Sequence, residues 1–330
     1  MGLKARFVKK MLSTVGKRDF QQLIDKEEQL TQVTNTYQSV EDSPKRFEIV
    51  FEAIEYPADK LKLFSSLRTM KKIPSIIRNI TKSLTSINNN PKEPKDMIND
   101  DFLQRFEEYA KSLNVASVGY TKLPSKLIFK EKAVLNNNAI VLTMEMDREK
   151  IEQAPSDKTA TMIMKTYDEL GKASNKLTEF IREHGYSAQA GHPLGGLVLY
   201  PPLAESADLG YRGKHGLIIT PEHGSRVRLT AIYTNIQNLP FAEKNQYTKV
   251  QEFCEKCFRC VRKCPGFAIR DYPIQNENGL LTHIINKNCF PVFLEYHGCS
   301  ICLKECPFSR VKYSKLMKQF NTQSLDPDLV

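Results

Sequence analysis

Eight cysteines carry the most definite chemistry in the chain, and their spacing divides them into two runs. Cys254, Cys257, Cys260 and Cys264 read C-x2-C-x2-C-x3-C-P with Pro265, and Cys289 then precedes Cys299, Cys302 and Cys306-Pro307. Short x2 spacings let one loop bring three thiolates to three corners of a cube while its backbone N–H groups point at the sulfurs. Two sets of four thiolates are what two [4Fe–4S] clusters require. In two-cluster ferredoxins the fourth cysteine of a run crosses to the other cluster. Applied here, Cys254, Cys257, Cys260 and Cys306 hold one cluster, and Cys264, Cys289, Cys299 and Cys302 hold the other. A disulfide framework suits a small exported chain, and zinc knuckles lack the third cysteine two residues on. Neither accounts for these runs.

A second stretch suggests a ligand. Gly191-His192-Pro-Leu-Gly195-Gly196 is followed by Pro201–Ala204, by Ala207–Gly216, and by Leu217–Arg228. Glycine density of this kind beside strands implies backbone approaching something closely: a ligand, a cofactor or another chain. The stretch has neither the G-K-[ST] of a Walker loop nor the G-x-G-x-x-G of dinucleotide folds. Gly195, Gly196, Lys214, His215, Arg226 and Arg228 are the residues expected to hold a cofactor, the cations answering a phosphate or carboxylate. His192, Tyr200 and Tyr211 are the candidate acids. An imidazole titrates near neutrality, and a phenol beside a cation can protonate a developing carbanion.

The elements that would position these groups follow from periodicity. Leu3, Phe7, Met11 and Val15 make one helical apolar stripe, and Ile73, Ile76, Ile80, Leu84 and Ile87 make another. Lysines and arginines flank both, so each could lie on a membrane surface or pack on the body of the protein. Asn88–Pro94 reads as a linker. Phe102–Leu113 and Ile163–Ile181 read as helices, the second ending at Gly185, and Ala139–Leu142 as a buried strand continued by Met144 and Met146. Leu217–Thr220 and Val227–Tyr233 read as strands joined by a turn at Pro221–Gly224. The expected divisions are a helical N-terminal region and linker at 1–100, an α/β cofactor and substrate domain at 101–240, a double-cluster domain at 241–312, and a tail at 313–330.

The chain has 330 residues, far more than a ferredoxin needs, and its net charge of +10 fits an acidic partner. Nucleic acid, a membrane surface and an acidic electron donor all satisfy that charge. No stretch approaches a membrane span, and neither a signal peptide nor a twin-arginine pair is seen. These features imply a cytoplasmic protein whose clusters survive best without oxygen.

Pro202-Leu-Ala204 through Leu209-Gly210, Gly213-Lys-His215 and Leu217-Ile-Ile-Thr-Pro-Glu222 to Gly224, followed by the two cysteine runs, resembles the epoxyqueuosine reductase and reductive dehalogenase superfamily. The resemblance covers about residues 101–310. It implies an α+β architecture: a nitroreductase-like α/β cobalamin-binding domain, then a ferredoxin-like domain with two [4Fe–4S] clusters. The implied activity is an iron–sulfur reductase passing electrons through both clusters to cobalamin, which reduces a small-molecule or nucleoside-like substrate. Its electrons would come from a small donor protein of ferredoxin or flavodoxin type. A ferredoxin-like electron carrier without corrinoid is the other function these residues allow. The aspartate that precedes the P-L-A segment in epoxyqueuosine reductases has no counterpart, since His184–Ala204 contains no carboxylate.

Overall fold

The computed structural model describes residues 17–47, 52–53, 56–57, 59–64 and 66–322. The basic stripe Leu3–Val15 and the tail beyond Thr322 fall outside these residues. The isoleucine stripe forms helix α2 (Ile73–Thr85), which follows α1 (Lys17–Gln32). Its apolar face turns inward: Ile76 and Ile80 are buried with Leu23 of α1 and with Met164. Full burial of such a side chain contributes about 1.5–3 kcal/mol, so a few of them fix the layer in place. A polar tether reinforces it. The fully buried Asp168 carboxylate accepts hydrogen bonds from Ser75 at 2.6 Å, Lys72 at 3.2 Å and Lys172 at 2.8 Å. The expected linker is also stapled down, because Asn90 Oδ1 accepts from Arg182 Nε at 3.0 Å and from the Ala188 N–H at 2.8 Å.

Helix α3 (Asp100–Ser112) starts where the Asn99 side chain accepts from the Phe102 N–H, satisfying one of the free donors of its first turn. An antiparallel sheet follows, in the order β1 (Ser117–Lys122), β2 (Asn138–Glu145), β4 (Val227–Thr234), β3 (Ala188–Ala190). In the β2–β4 pairing Ile140 lies opposite Ile232 and Val141 opposite Ala231. Successive side chains point to opposite faces, so both faces carry core. Ala139, Val141, Ala231 and Tyr233 pack with Leu203 and Ala204 of α5 (Tyr200–Ser206). Ile140, Leu142 and Ile232 pack with Leu170, Leu177 and Ile181 of the long helix α4 (Asp157–Glu183). That helix begins at a Ser156 cap and gives way at Gly185, whose φ of +90° suits glycine.

One expectation is corrected. The strands flanking Pro221–Gly224 do not form a hairpin: Ile218–Ile219 pairs with Tyr211–Arg212, while β4 belongs to the main sheet. Gly224 shows why. It has φ +59°, and a Cβ there would come within 1.9 Å of the Phe308 carbonyl oxygen. The turn is shaped to fit the backbone just after Cys306, not to join its flanking strands.

The cysteine region is built from α6 (Lys249–Cys257), α7 (Arg259–Arg262), the hairpin β5 (Ile269–Gln275) with β6 (Leu281–Ile284), α8 (Asn286–Glu295) and α9 (Ile301–Glu305). Val250, Phe253, Phe308 and Leu316 form its core. It is joined to the sheet through Ser225 and Ser309, whose hydroxyls are 2.7 Å apart, and through Arg226 Nε, which donates to Ser309 O at 3.0 Å. Among the described residues no helix is long and apolar enough to cross a membrane.

Candidate active site

Helix α6 carries Cys254 and Cys257 one turn apart and is stopped by Phe258, whose φ of +50° redirects the chain so that Cys260 faces back. The second run is bent in the same way: His297, Gly298, Cys299 and Ser300 all have positive φ. For non-glycine residues that region costs about 1 kcal/mol or more each, and such strain persists where the surroundings over-determine it. All eight thiols are free. Burial raises the thiols of Cys254, Cys257, Cys260, Cys289, Cys299, Cys302 and Cys306, and neighbouring thiols raise most of these further. Cys254 feels Cys306, Cys260 and Cys257, while Cys302 feels Cys299, Cys289 and Cys264. Cys289 is pushed up to about 11 by burial and then by Cys299 and Cys264. Apart from that between Cys260 and Cys302, these influences run among Cys254, Cys257, Cys260 and Cys306 or among Cys264, Cys289, Cys299 and Cys302. Cys260 is also close enough to Cys302 to feel its charge, which marks where the sets approach.

Four of the thiols, Cys254, Cys257, Cys260 and Cys306, line one small cavity. Backbone N–H groups point at the sulfurs: Lys214 at Cys254, Arg259 at Cys257, Val261 at Cys260, and Phe308 and Ser309 at Cys306. In the other set Ile301 serves Cys299, Leu303 serves Cys302, and the Ala268 N–H donates to Cys264 Sγ at 3.3 Å. Eight buried and half-buried thiols, seven of them met by backbone amides, are a poor apolar core, and such a setting favours any cation that could take up their charge.

The glycine-rich stretch is distributed over three places. His192, Gly195, Gly196 and Tyr200 lie under the N-terminal layer. The Tyr200 hydroxyl donates to His192 O at 3.1 Å, and a Cβ at Gly196 would stand 2.4 Å from that hydroxyl. The close approach announced by Gly191 and Gly196 is therefore made within the same chain, by Tyr200 at both and by Ala231 O at Gly191. His192 is 2% exposed, with Nδ1 accepting from the Leu194 N–H at 3.1 Å, and burial pushes it down to about 4.

Tyr211, Lys214 and His215 lie beside the first thiol set instead. The Lys214 ammonium donates to Asp271 O at 2.6 Å, and the Tyr211 hydroxyl donates to Gln251 at 3.1 Å. Burial lowers His215 to about 4. Arg226 and Arg228 form the third group. Arg226 Nη1 donates to Glu145 at 2.7 Å and to Met146 O at 2.9 Å, which makes it a joint between sheet and cysteine region.

Arg228 has a different neighbour. Its guanidinium carbon lies 3.9 Å from the centre of the Tyr167 ring. Tyr167, on α4, lines a cavity of about 260 Å³ together with Ile73, Ile80, Leu194, Cys289 and Phe293. Cys289 brings the second thiol set to the same cavity wall, and Tyr167 and Cys302 border one apolar cluster. Tyr167 lies within the helix expected at Ile163–Ile181 and was given no role by the sequence. Its one signal was a hydroxyl-bearing ring in an otherwise aliphatic row.

No family model matches the sequence. The tetrachloroethene reductive dehalogenase of Sulfurospirillum multivorans is 34% identical over 183 residues, which are 52% of this chain and 36% of that protein. The epoxyqueuosine reductase of Listeria monocytogenes is 32% identical over 115 residues, 33% of this chain and 29% of that one. The aligned residues make up about a third of the length of the curated relatives. Among solved structures, the catabolic reductive dehalogenase NpRdhA in complex with 3-bromo-4-hydroxybenzoic acid superposes with a TM-score of 0.66 at 19% identity, covering 82% of this chain and 41% of that one. The chain is related to both groups of reductases, and its mixed helix and sheet fold resembles that of the dehalogenase.

Proposed function

We propose that this relative of the reductive dehalogenases and epoxyqueuosine reductases is an iron–sulfur reductase whose substrate site is the apolar cavity between Tyr167 and Cys289. One observation carries the reading: Tyr167 stacks under Arg228 and lines that cavity together with Cys289 of the second thiol set. The thiol sets fit [4Fe–4S] clusters, with Cys254, Cys257, Cys260 and Cys306 holding one and Cys264, Cys289, Cys299 and Cys302 the other. When bound, the clusters supply single electrons.

The cavity selects the substrate. Among its lining residues only Tyr167, Asn286 and Cys289 carry polar side chains, too few to read a base and a sugar. A small apolar molecule with a carbon–halogen bond matches its size and wall. Removing the halogen takes two electrons and one proton: the carbon–halogen bond breaks, halide leaves with the bonding pair, and a carbon–hydrogen bond forms. The Tyr167 hydroxyl donates that proton, and the Arg228 guanidinium offsets the charge left on the ring until solvent restores it. Phe293, Leu194 and the α2 isoleucines keep water away from the reacting carbon.

Cobalamin, which the resemblance implies, fares differently. Pockets of about 300–1,000 Å³ hold drug-sized ligands, and a corrinoid is larger than those and fringed with amides. A cavity of about 260 Å³ walled by aliphatic and aromatic groups does not fit a whole corrinoid. No step is derived through one. It enters this reading only if the α2 layer is displaced.

Anaerobically reconstituted protein tests the reading through iron, sulfide and cobalt analysis with cob(II)alamin titration. About eight irons and eight sulfides per chain are expected; fewer than about four irons after full reconstitution contradicts it. Saturable cob(II)alamin binding would show that the α2 layer opens.

A further inference from the structure

Phe267 and Tyr272 project from the cysteine region at 81% and 75% exposure, and Ile274, at 50%, shares a face of β5 with Tyr272. Single exposed apolar residues need no explanation, but a group of them beside a redox site does. Here Tyr272 belongs to a group with charge. Phe258 meets Tyr272 edge-on, with ring centres 6.4 Å apart, and the Lys214 ammonium lies 3.9 Å from the Phe258 ring centre and 5.2 Å from that of Tyr272. Arg262 and Lys263 are exposed between Cys260 and Cys264. Asp271 is the acidic residue within the patch, yet over residues 249–322 Lys and Arg outnumber Asp and Glu twelve to six.

Resting on the reductase reading, we infer that this face docks a small acidic protein that carries single electrons. The patch lies on the same loops as Cys257, Cys260 and Cys264, and electron transfer weakens steeply with distance. The cavity is walled by other residues, so electron entry and substrate do not compete for one surface. Exposed aromatic rings and arginine are the side chains that anchor interfaces, and a basic rim steers an acidic partner at a rate that falls with salt. On docking, the carrier is oxidised by one electron and one bound cluster is reduced by one. The same side chains could stack on and neutralise RNA, but their place over the thiols favours a carrier.

The test uses reconstituted full-length protein, flavodoxin as the acidic carrier, and dithionite as a small reductant that needs no docking. Flavodoxin binding by calorimetry and cluster reduction by stopped-flow absorbance are read at low and high salt. For the wild type, saturable binding that weakens at least tenfold with salt is expected. The R262E/K263E and Y272A variants should each lose at least tenfold in binding and in reduction rate by flavodoxin while reduction by dithionite is unchanged. F267A should behave similarly. Unchanged flavodoxin binding in all three variants overturns the inference. So does wild-type protein that dithionite reduces but flavodoxin neither binds nor reduces, or a patch whose variants lose tRNA binding and keep the carrier. Protein that assembles no clusters sinks the reductase reading itself, a result that iron analysis separates from failed docking.

Discussion

Arg228 rests its guanidinium on the Tyr167 ring, 3.9 Å from the ring centre, and Arg228 Nη2 also lies 3.4 Å from Met146 Sδ. A cation held on a ring face away from bulk water contributes about 1–2 kcal/mol. Arg228→Gln should therefore cost roughly that much stability in a denaturant melt. It should also slow substrate-driven oxidation of the reduced protein by about 100-fold, the usual loss when a charge-stabilising donor is removed. A variant that loses stability and keeps its rate would show that the pair only packs.

The crossed thiol sets make a sharp prediction about cluster loss. Cys264→Ala should abolish the cluster held with Cys289, Cys299 and Cys302 and leave about four of eight irons. Cys306→Ala should remove the other cluster. Iron analysis with electron paramagnetic resonance of each variant separates the two. Loss of the Cys254–Cys260 signal in the Cys264 variant would refute the crossing.

Two neighbouring glycines should respond differently to alanine. At Gly196 the new Cβ meets Tyr200 within 2.4–2.6 Å, so Gly196→Ala should cost about 1–3 kcal/mol through overpacking. At Gly195 φ is +75° with nothing within 4 Å, so Gly195→Ala should cost only about 1–2 kcal/mol of left-handed strain. Urea melts measure both. Equal melting of the Gly196 variant and wild type would mean that Tyr200 gives way.

Stability should fall on acidification before the carboxylates titrate. Burial pushes His192 from 6.5 down to about 4, so between those pH values the unfolded chain binds a proton that the folded chain does not. The histidine's contribution is thus complete above about pH 6.5 and is lost as pH falls toward 4. His192→Asn should reduce the slope of stability against pH in urea melts between pH 7 and 5, the remainder coming from His215, which burial lowers likewise. An unchanged slope would contradict the buried, neutral imidazole.

Much of the frame was legible in the sequence because it rests on local periodicity. Ala139–Leu142 forms the centre of β2, Ile163–Ile181 lies in α4, and Phe102–Leu113 matches α3 to within two residues. The cysteine runs were legible because ligand spacing is itself local. The cavity was not, since Ile73, Tyr167, Leu194 and Cys289 meet only when three distant helices and a loop pack. Glycine density revealed that something approaches the backbone without revealing what: Ala231 O and Tyr200 fill the space at Gly191, Tyr200 at Gly196, and Phe308 at Gly224. None of the residues expected to line one pocket lines this cavity; Arg228 stacks on Tyr167 and His192 holds the Leu194 N–H, each touching the wall from behind.

The central claim is that electrons held by this chain reduce a molecule in the cavity with a proton from Tyr167. It is tested most directly by reducing the reconstituted protein with dithionite, desalting it anaerobically, and adding tetrachloroethene with and without cob(II)alamin. The wild type should recover its oxidised visible spectrum in at least one of these conditions and release one chloride per two electrons. Tyr167→Phe, with the same iron content, should do so about 100-fold or more slowly. Clusters that stay reduced in both conditions, or a Tyr167→Phe variant as fast as the wild type, would contradict the account.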